Sequence, residues 1–196
     1  MCCAKKRGVF VIKKVFSLCS LFALFFILQA CTPAYKIDSK ASAGIVAAKP
    51  ILKSSDKLVI ITPKDGGHKK EITPNTGPIV AMHLAAAFRQ YAPDTYICED
   101  PLTVEQAKAY SVKNKYTRMI YPVILNWEDR QPLISGLRDR VSVRVTVIDV
   151  QNDKVLNDST LYGNGSNKAW ATGKTPEILL DKPFQAYAAS LFSNDK

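Results

Sequence analysis

Apolar and polar residues alternate strictly between Val141 and Val147, and this pattern constrains the fold more than any other in the chain. Successive side chains of a β-strand point to opposite faces of a sheet, so the four valines predict one buried face and the residues between them predict one solvated face. The polar segment 151–154 then predicts a turn, and residues 155–162 predict a strand that pairs back as an antiparallel hairpin.

The chain before this hairpin alternates strand and helix patterns. The continuous apolar run Leu58–Ile61 is typical of a strand that is covered on both faces. A stripe at helical spacing predicts a helix over 78–91, and Thr103 with Gln106 has the spacing of a capping box that begins a second helix. The remaining predictions are short strands at 95–98 and 118–125, the latter with an edge or a bulge at Pro122, and a final helix at 183–192.

Together these elements predict the order β-α-β-α-β-β-β-α. Such an order indicates a single small α/β (α+β) domain, in which about three helices pack on a mixed sheet of about five strands and an antiparallel hairpin extends one side. We expect this domain over residues 56–196, which is a normal length for one domain.

The first 30 residues have the composition of a signal peptide. Five basic residues between Lys5 and Lys14 form a positive segment that contains no acidic residue. The 14 residues from Val15 to Leu28 carry no charge, which fits the apolar region of a signal peptide and is short of the roughly 20 residues that span a bilayer. Ala30 supplies the small residue that precedes signal-peptidase cleavage.

The uncharged segment ends in Leu28-Gln29-Ala30-Cys31, which resembles the lipobox of bacterial lipoprotein precursors. This resemblance implies that residues 1–30 are removed as a lipoprotein signal peptide and that Cys31 becomes the mature N-terminus, with lipid such as palmitate attached. Residues 31–55 would then be a lipidated N-terminus and flexible tether. An uncleaved anchor helix and ordinary secretion with cleavage elsewhere are the alternatives.

The residue after the cysteine predicts the location. By the sorting pattern of enterobacterial lipoproteins, Thr32 implies the outer rather than the inner membrane, with the domain facing the periplasm. The full chain has 27 Lys and Arg against 17 Asp and Glu, and removal of residues 1–30 leaves a net charge of +5. That charge does not indicate nucleic-acid binding. Among the cysteines beyond Cys31 only Cys98 remains, and we expect it to be a buried thiol.

Trp127-Glu128-Asp129-Arg130 is followed about forty residues later by Lys168-Ala169-Trp170-Ala171-Thr172. Together with segments 62–66, 139–141, 149–150 and 154–156, these motifs resemble an uncharacterised family of proteobacterial envelope lipoproteins. The resemblance covers about residues 57–194, and it implies a fold and a location, since the family has no assigned activity. More distantly, the layout is similar to small domains of the curli-secretion lipoprotein and of outer-membrane activators of peptidoglycan synthases, which implies non-enzymatic work through protein contacts.

Trp127, Glu128, Asp129 and Arg130 form the cluster that most suggests a site, and Trp170 is considered with them. An aromatic ring beside two carboxylates and a guanidinium can form a binding surface, because Trp and Arg are favoured at protein interfaces. Two carboxylates can alternatively serve acid–base chemistry, if burial raises the pKa of one of them. The third interpretation is structural: Trp127 packs, and Arg130 ties a carboxylate to a loop.

No other pattern in the sequence predicts a cofactor or a catalytic set. His68 and His83 are expected to be solvated or packed, because the sequence provides no metal-ligand spacing. We therefore expect a non-enzymatic envelope lipoprotein, without metal or cofactor, that binds another envelope protein or a cell-wall component such as peptidoglycan. An envelope hydrolase that uses Glu128 or Asp129, and a carrier of a lipid or a small ligand, are the alternatives.

Overall fold

The computed structural model describes residues 35–39, 50–129, 139–165 and 176–192. These residues belong to one compact unit, and they confirm the predicted α+β class. The strands are β1 (Tyr35–Ser39), β2 (Leu58–Ile61), β3 (Gly67–His68), β4 (Glu71–Ile72), β5 (Thr95–Cys98), β6 (Arg118–Glu128), β7 (Arg140–Asp149) and β8 (Lys154–Asn164). The helices are α1 (Thr76–Arg89), α2 (Val104–Lys113) and α3 (Ile178–Leu191).

The main sheet is mixed and has the described strand order β1-β8-β7-β6-β2-β5, while β3 and β4 form a separate two-stranded hairpin. β2 pairs in parallel with β5 and with β6. The strands β6, β7, β8 and β1 are antiparallel neighbours. The parallel part follows from the strand–helix–strand order of the first half, because a crossover helix returns the chain in the same direction. The antiparallel part contains the predicted valine strand and its hairpin.

Helices α1 and α3 cover one face of the sheet and form the larger core with it. The predicted stripe of α1 is confirmed, since Val80, Leu84 and Ala87 are all buried in this core. The four valines of β7 pack in the same core, as their alternation predicts. Near the end of α3, the rings of Tyr91 and Phe192 stack with their centroids 5.1 Å apart. Apolar burial therefore joins α1 to the parallel strands and α3 to the antiparallel strands β7 and β8, and the two helices also pack on each other.

Helix α2 packs on the opposite face of the sheet, over the parallel strands. Its predicted capping box is confirmed, because Thr103 accepts a hydrogen bond from the backbone N–H of Gln106 and donates its own backbone N–H to the Gln106 side chain at 3.0 Å. Alternate residues of Leu58–Ile61 enter the two cores, so this run is buried on both faces as predicted. Cys98 is also buried, and burial raises the pKa of its thiol.

Strand β6 is longer than predicted and contains a bulge. It continues to Glu128, and its register with β7 shifts between Ile124 and Asn126. Leu125 is the extra residue, so the alternation of side chains moves by one position. As a result Trp127, and not Asn126, lies in the larger core.

The last helix begins five residues earlier than predicted, at Ile178, so that Pro183 lies inside it. A proline has no N–H to donate to the carbonyl four residues before it, which is that of Leu179. This carbonyl lies close to Gly163 of β8, where an added Cβ would stand 2.6 Å from the Leu179 oxygen. Burial of the helix against the sheet thus outweighs the local preference for proline in a first turn.

Two parts of the segment expected to be a tether belong to the domain instead. β1 runs antiparallel to β8, with Tyr35 opposite Gly163 and Ser39 opposite Ser159. Leu52 is buried in the larger core and forms a bridge with Phe192. The alternation signal of a five-residue strand is too short to stand out in a sequence rich in Ala, Ser and Lys.

Candidate functional site

A cleft opens where the parallel strands end. β6 continues for eight residues beyond Ile120, the last residue that it pairs with β2. The chain leaving β2, the first turn of α2 and this part of β6 enclose a cavity of about 420 Å³. Ligands of open α/β sheets bind at the carboxyl ends of parallel strands, and this volume is typical of such sites. The lining residues are Pro63, Lys64, Asp65, Leu102, Thr103, Val104, Glu105, Tyr121, Pro122, Val123 and Ile124.

Asp65 ties one wall of the cleft to the beginning of α1. Its Oδ2 accepts a hydrogen bond from the backbone N–H of Asn75 at 3.0 Å, and its Oδ1 accepts one from that of Gly77 at 2.8 Å. The Thr76 hydroxyl accepts a further bond from the backbone N–H of Gly66 at 2.8 Å. Asn75 itself makes no side-chain cap, so an acidic residue ten positions earlier supplies the acceptor that a helix N-terminus favours.

Gly77 allows the helix to approach the end of β2 closely. A Cβ at this position would stand 2.2 Å from the carbonyl oxygen of Pro63, which is well inside contact distance. Pro63 lies in segment 62–66 and Gly77 lies in segment 73–77. The sequence alone does not indicate that these two segments are in contact. An Asp-Gly pair after an apolar strand, followed by Thr-Gly-Pro at a helix start, is the signal that could have suggested it.

The cleft has apolar walls and a charged rim. The hydroxyl of half-buried Tyr121 donates a hydrogen bond to the carbonyl oxygen of Leu102 at 3.1 Å. Burial, followed by the nearby charge of Glu105, raises the pKa of this phenol, so it remains a neutral donor. The exposed side chains of Lys64 and Glu105 stand at the rim, and Val123 is exposed on the wall formed by β6.

His68 attaches the β3–β4 hairpin to β6 beside the cleft. Its Nδ1 lies 3.0 Å from Asn126 Oδ1 and 3.0 Å from Glu128 Oε1. The Asn126 side-chain amide also donates to Glu128 Oε1 at 3.0 Å. Glu128 is buried. Its carboxylate contacts His68 and Asn126, and the same contacts fix the position of the hairpin. Because both neighbours of Nδ1 are oxygen atoms, this arrangement favours the tautomer in which Nδ1 carries the proton and Nε2 does not.

The structure separates the residues that the sequence grouped as one possible surface. Trp127 is 3% exposed and lies in the larger core, so its ring is packed rather than presented to solvent. Glu128 is buried next to it, whereas Asp129 is exposed just after β6. Arg130 and Trp170 lie outside the described residues, as does Cys31.

Other features of the described residues bear on chemistry and location. Within the described ranges, no group of three or more His, Cys, Asp and Glu side chains is placed to hold a metal ion. In that same part of the chain, no helix has the length and apolar character needed to cross a membrane. His83 does not line the cleft. Its Nδ1 contacts Asp181 Oδ1 at 2.6 Å and thereby joins α1 to α3.

The chain belongs to a family of proteins that share a domain of unknown function, DUF4823, which matches residues 51–191. This agrees with the resemblance seen in the sequence, which also pointed to a family without an assigned activity. No protein of curated function shows significant similarity to the chain.

Among solved structures, the chain is similar to the PelC dodecamer from Paraburkholderia phytofirmans, with a TM-score of 0.61 and 14% identity. The match covers 81% of this chain and 97% of PelC. Lipoprotein GNA1162 from Neisseria meningitidis is a weaker likeness, with a TM-score of 0.41 and 14% identity over 62% of this chain and 88% of that one. At this level of identity, the similarity to PelC shows a shared fold alone.

Proposed function

We propose that this protein is a lipid-anchored, non-enzymatic component of the bacterial cell envelope that binds another envelope protein or a cell-wall component. In this proposal Cys31 carries the lipid in the outer membrane, and the cleft beside β6 is the binding site. The observation that carries it is Leu28-Gln29-Ala30-Cys31 at the end of a 14-residue uncharged segment. Each buried CH₂ of an attached acyl chain contributes about 0.8 kcal/mol, so two or more chains hold a protein stably on a bilayer.

The anchor is tested by replacing the cysteine. Cys31→Ala removes the sulfur that lipid attachment needs, so we expect an unlipidated precursor that retains residues 1–30. Metabolic labelling with a fatty-acid analogue, followed by gel electrophoresis, measures both changes. Cys19→Ala is the matched control and should be labelled and processed like the wild type. Normal labelling of Cys31→Ala would contradict the proposed attachment site.

The engagement of polar groups around the cleft supports binding rather than catalysis. Asp65 accepts two backbone N–H groups, Tyr121 donates to a backbone carbonyl, and Glu128 is bonded to His68 and Asn126. These contacts hold the walls, and they leave apolar surface such as Val123 to meet a partner. PelC, whose fold is similar, assembles as a dodecamer, so this fold supports protein–protein contact in that case.

Binding in the cleft is tested by a charge placed on its wall. We expect a crosslinked pull-down of the full-length protein from solubilised envelopes to capture a partner that Val123→Asp loses. Val112→Asp is the matched control, because Val112 is 62% exposed on α2 and does not line the cleft. Equal capture by all three forms, or no capture above a mock purification, would contradict binding at this site.

The hydrolase alternative has one favourable observation, which is the contact between buried Glu128 and His68 at 3.0 Å. Histidine–carboxylate pairs of this kind can serve general acid–base catalysis. Our proposal predicts that Glu128→Gln and Asp129→Asn variants complement a deletion strain fully. Loss of complementation by a variant with unchanged thermal stability would favour the hydrolase instead.

A further inference from the structure

The β3–β4 hairpin, residues 67–72, carries two lysines at its tip in an unusual backbone setting. Gly67 lies opposite Ile72, and His68 lies opposite Glu71, so Lys69 and Lys70 form the connection. Lys69 has φ of 56°, a left-handed conformation that glycine and asparagine adopt far more readily. The two-residue connection of a hairpin calls for such a conformation, and it places both lysines at the tip.

The exposed side chains of this hairpin combine positive charge with apolar surface. Lys69 and Lys70 are exposed, and Lys64 is exposed on the chain that leads to them. Glu71 is the exposed acidic residue within the hairpin. Ile72 is 72% exposed, the highest value among the large apolar side chains that the structure describes. Basic groups beside an exposed apolar side chain match the interface of an anionic bilayer.

The hairpin lies at the end of the sheet where the chain enters the domain. His68 is bonded to Asn126 and Glu128, the two residues that flank Trp127 in β6. Register pairs connect Trp127 to Val141, then to Gly163, and finally to Tyr35 at the start of β1. Three strand spacings separate the two ends of this row, which amounts to about 14 Å.

The length of chain before β1 limits how far this end can stand from a lipid anchor. If Cys31 carries the lipid, only three residues lie between it and Tyr35, and the four Cα-to-Cα steps from Cys31 to Tyr35 span at most about 14 Å even when fully extended. A flexible tether of residues 31–55 would have allowed any orientation. Pairing of β1 with β8 instead brings this end of the sheet towards the bilayer.

We infer that the β3–β4 hairpin is a second contact with the anchoring bilayer, in which Lys69 and Lys70 bind anionic phospholipid headgroups and Ile72 enters the interface. This inference rests on the proposed lipid anchor at Cys31. It assigns the domain an orientation, with the hairpin end of the sheet on the membrane and the opposite end, which contains the last turn of α2, directed away from it.

The test places an environment-sensitive dye at the hairpin of the full-length lipidated protein. Ile72→Cys labelled with such a dye is reconstituted in vesicles of phosphatidylethanolamine with phosphatidylglycerol, and in vesicles of phosphatidylcholine alone. We expect a blue shift of the emission in the anionic vesicles, weakened by salt because the Debye length is only about 10 Å at 0.1 M. Val112→Cys, exposed near the opposite end, is the control that should show no shift.

Charge reversal tests the role of the lysines. With Lys69→Glu and Lys70→Glu, the ratio of docked to undocked hairpin should fall at least about 25-fold, since each lysine near an anionic surface contributes roughly a factor of five. Lys113→Glu with Lys154→Glu makes the same change in net charge at the other end of the sheet, and it should leave the blue shift intact.

Flotation of the vesicles separates failure of this inference from failure of the proposed anchor. Protein that does not float with the vesicles lacks the anchor, which refutes both statements. Protein that floats while the dye at position 72 remains in water refutes the hairpin contact alone. A hairpin that is shielded only when another envelope protein is added would likewise refute it as a lipid contact.

Discussion

Asp65 provides the most direct test of how the cleft is held together. Asp65→Ala removes the acceptor for two backbone N–H groups at the start of α1, at 3.0 and 2.8 Å. Loss of a helix cap costs typically about 1 kcal/mol. Loss of a negative charge at a helix N-terminus costs about 0.3–1 kcal/mol more. We expect the free energy of unfolding to fall by about 1.3–2 kcal/mol, which corresponds to a decrease in Tm of roughly 3–8 °C for a domain of this size.

Urea denaturation followed by tryptophan fluorescence measures this loss. Asp65→Asn keeps one oxygen acceptor but loses the charge, so its cost should be about half that of Asp65→Ala. Glu99→Ala, at an exposed acidic residue after β5, is the matched control and should stay within about 0.5 kcal/mol of the wild type. If Asp65→Ala were as stable as the Glu99→Ala control, Asp65 would not be holding the start of α1.

Three further substitutions test the core and its buried polar groups. Burial raises the pKa of Asp149, but hydrogen bonds from the turn that follows it, together with Arg118 at 3.2 Å, outweigh that effect and leave the pKa lowered. Its carboxylate therefore stabilises the folded state at pH values above its ordinary pKa and loses this effect as the pH falls through the lowered pKa. The difference in free energy of unfolding between wild type and Asp149→Asn should shrink towards acid pH. A difference that stays constant with pH would contradict this. Trp127→Ala should cost about 3–5 kcal/mol in urea denaturation because its ring lies in the core, and a cost below about 1 kcal/mol would contradict that placement. Tyr187→Phe removes a hydroxyl that donates to Asn157 Oδ1 at 2.9 Å. A thermal melt should show that the free energy of unfolding falls by about 1 kcal/mol, and an unchanged stability would contradict this contribution.

Local sequence patterns predict the elements whose formation depends on residues close to each other in the chain. The valines of β7, the stripe of α1 and the Thr103–Gln106 capping box depend on spacings of two, three and four residues, and the structure confirms all of them. The fold class follows from the order of these elements, because helices between strands imply parallel pairing.

The features that sequence patterns missed depend on distant contacts. The bulge at Leu125 decides that Trp127 faces the core, and only the pairing of β6 with β7 reveals it. The start of α3 before Pro183 is favoured by packing against Gly163 in another strand. β1 is a strand because β8 offers it a free edge, which its own five residues do not indicate.

The candidate site was missed for the same reason. The sequence grouped residues by their nearness in the chain, and so it placed Trp127 and Asp129 on one surface although one is buried and the other is exposed. The cleft instead combines the end of β2, the start of α2 and the middle of β6. Three segments up to about sixty residues apart meet there because parallel strands end at a common edge of the sheet.

The intact mass of the N-terminal peptide from the membrane-purified protein tests the proposed function most directly. If the protein is a lipid-anchored component of the envelope, this peptide begins at Cys31 and carries the added mass of a diacylglyceryl group and an amide-linked acyl chain. A peptide that begins at Met1, or a mature N-terminus without lipid, would contradict the anchor and with it the proposed orientation of the domain on the membrane.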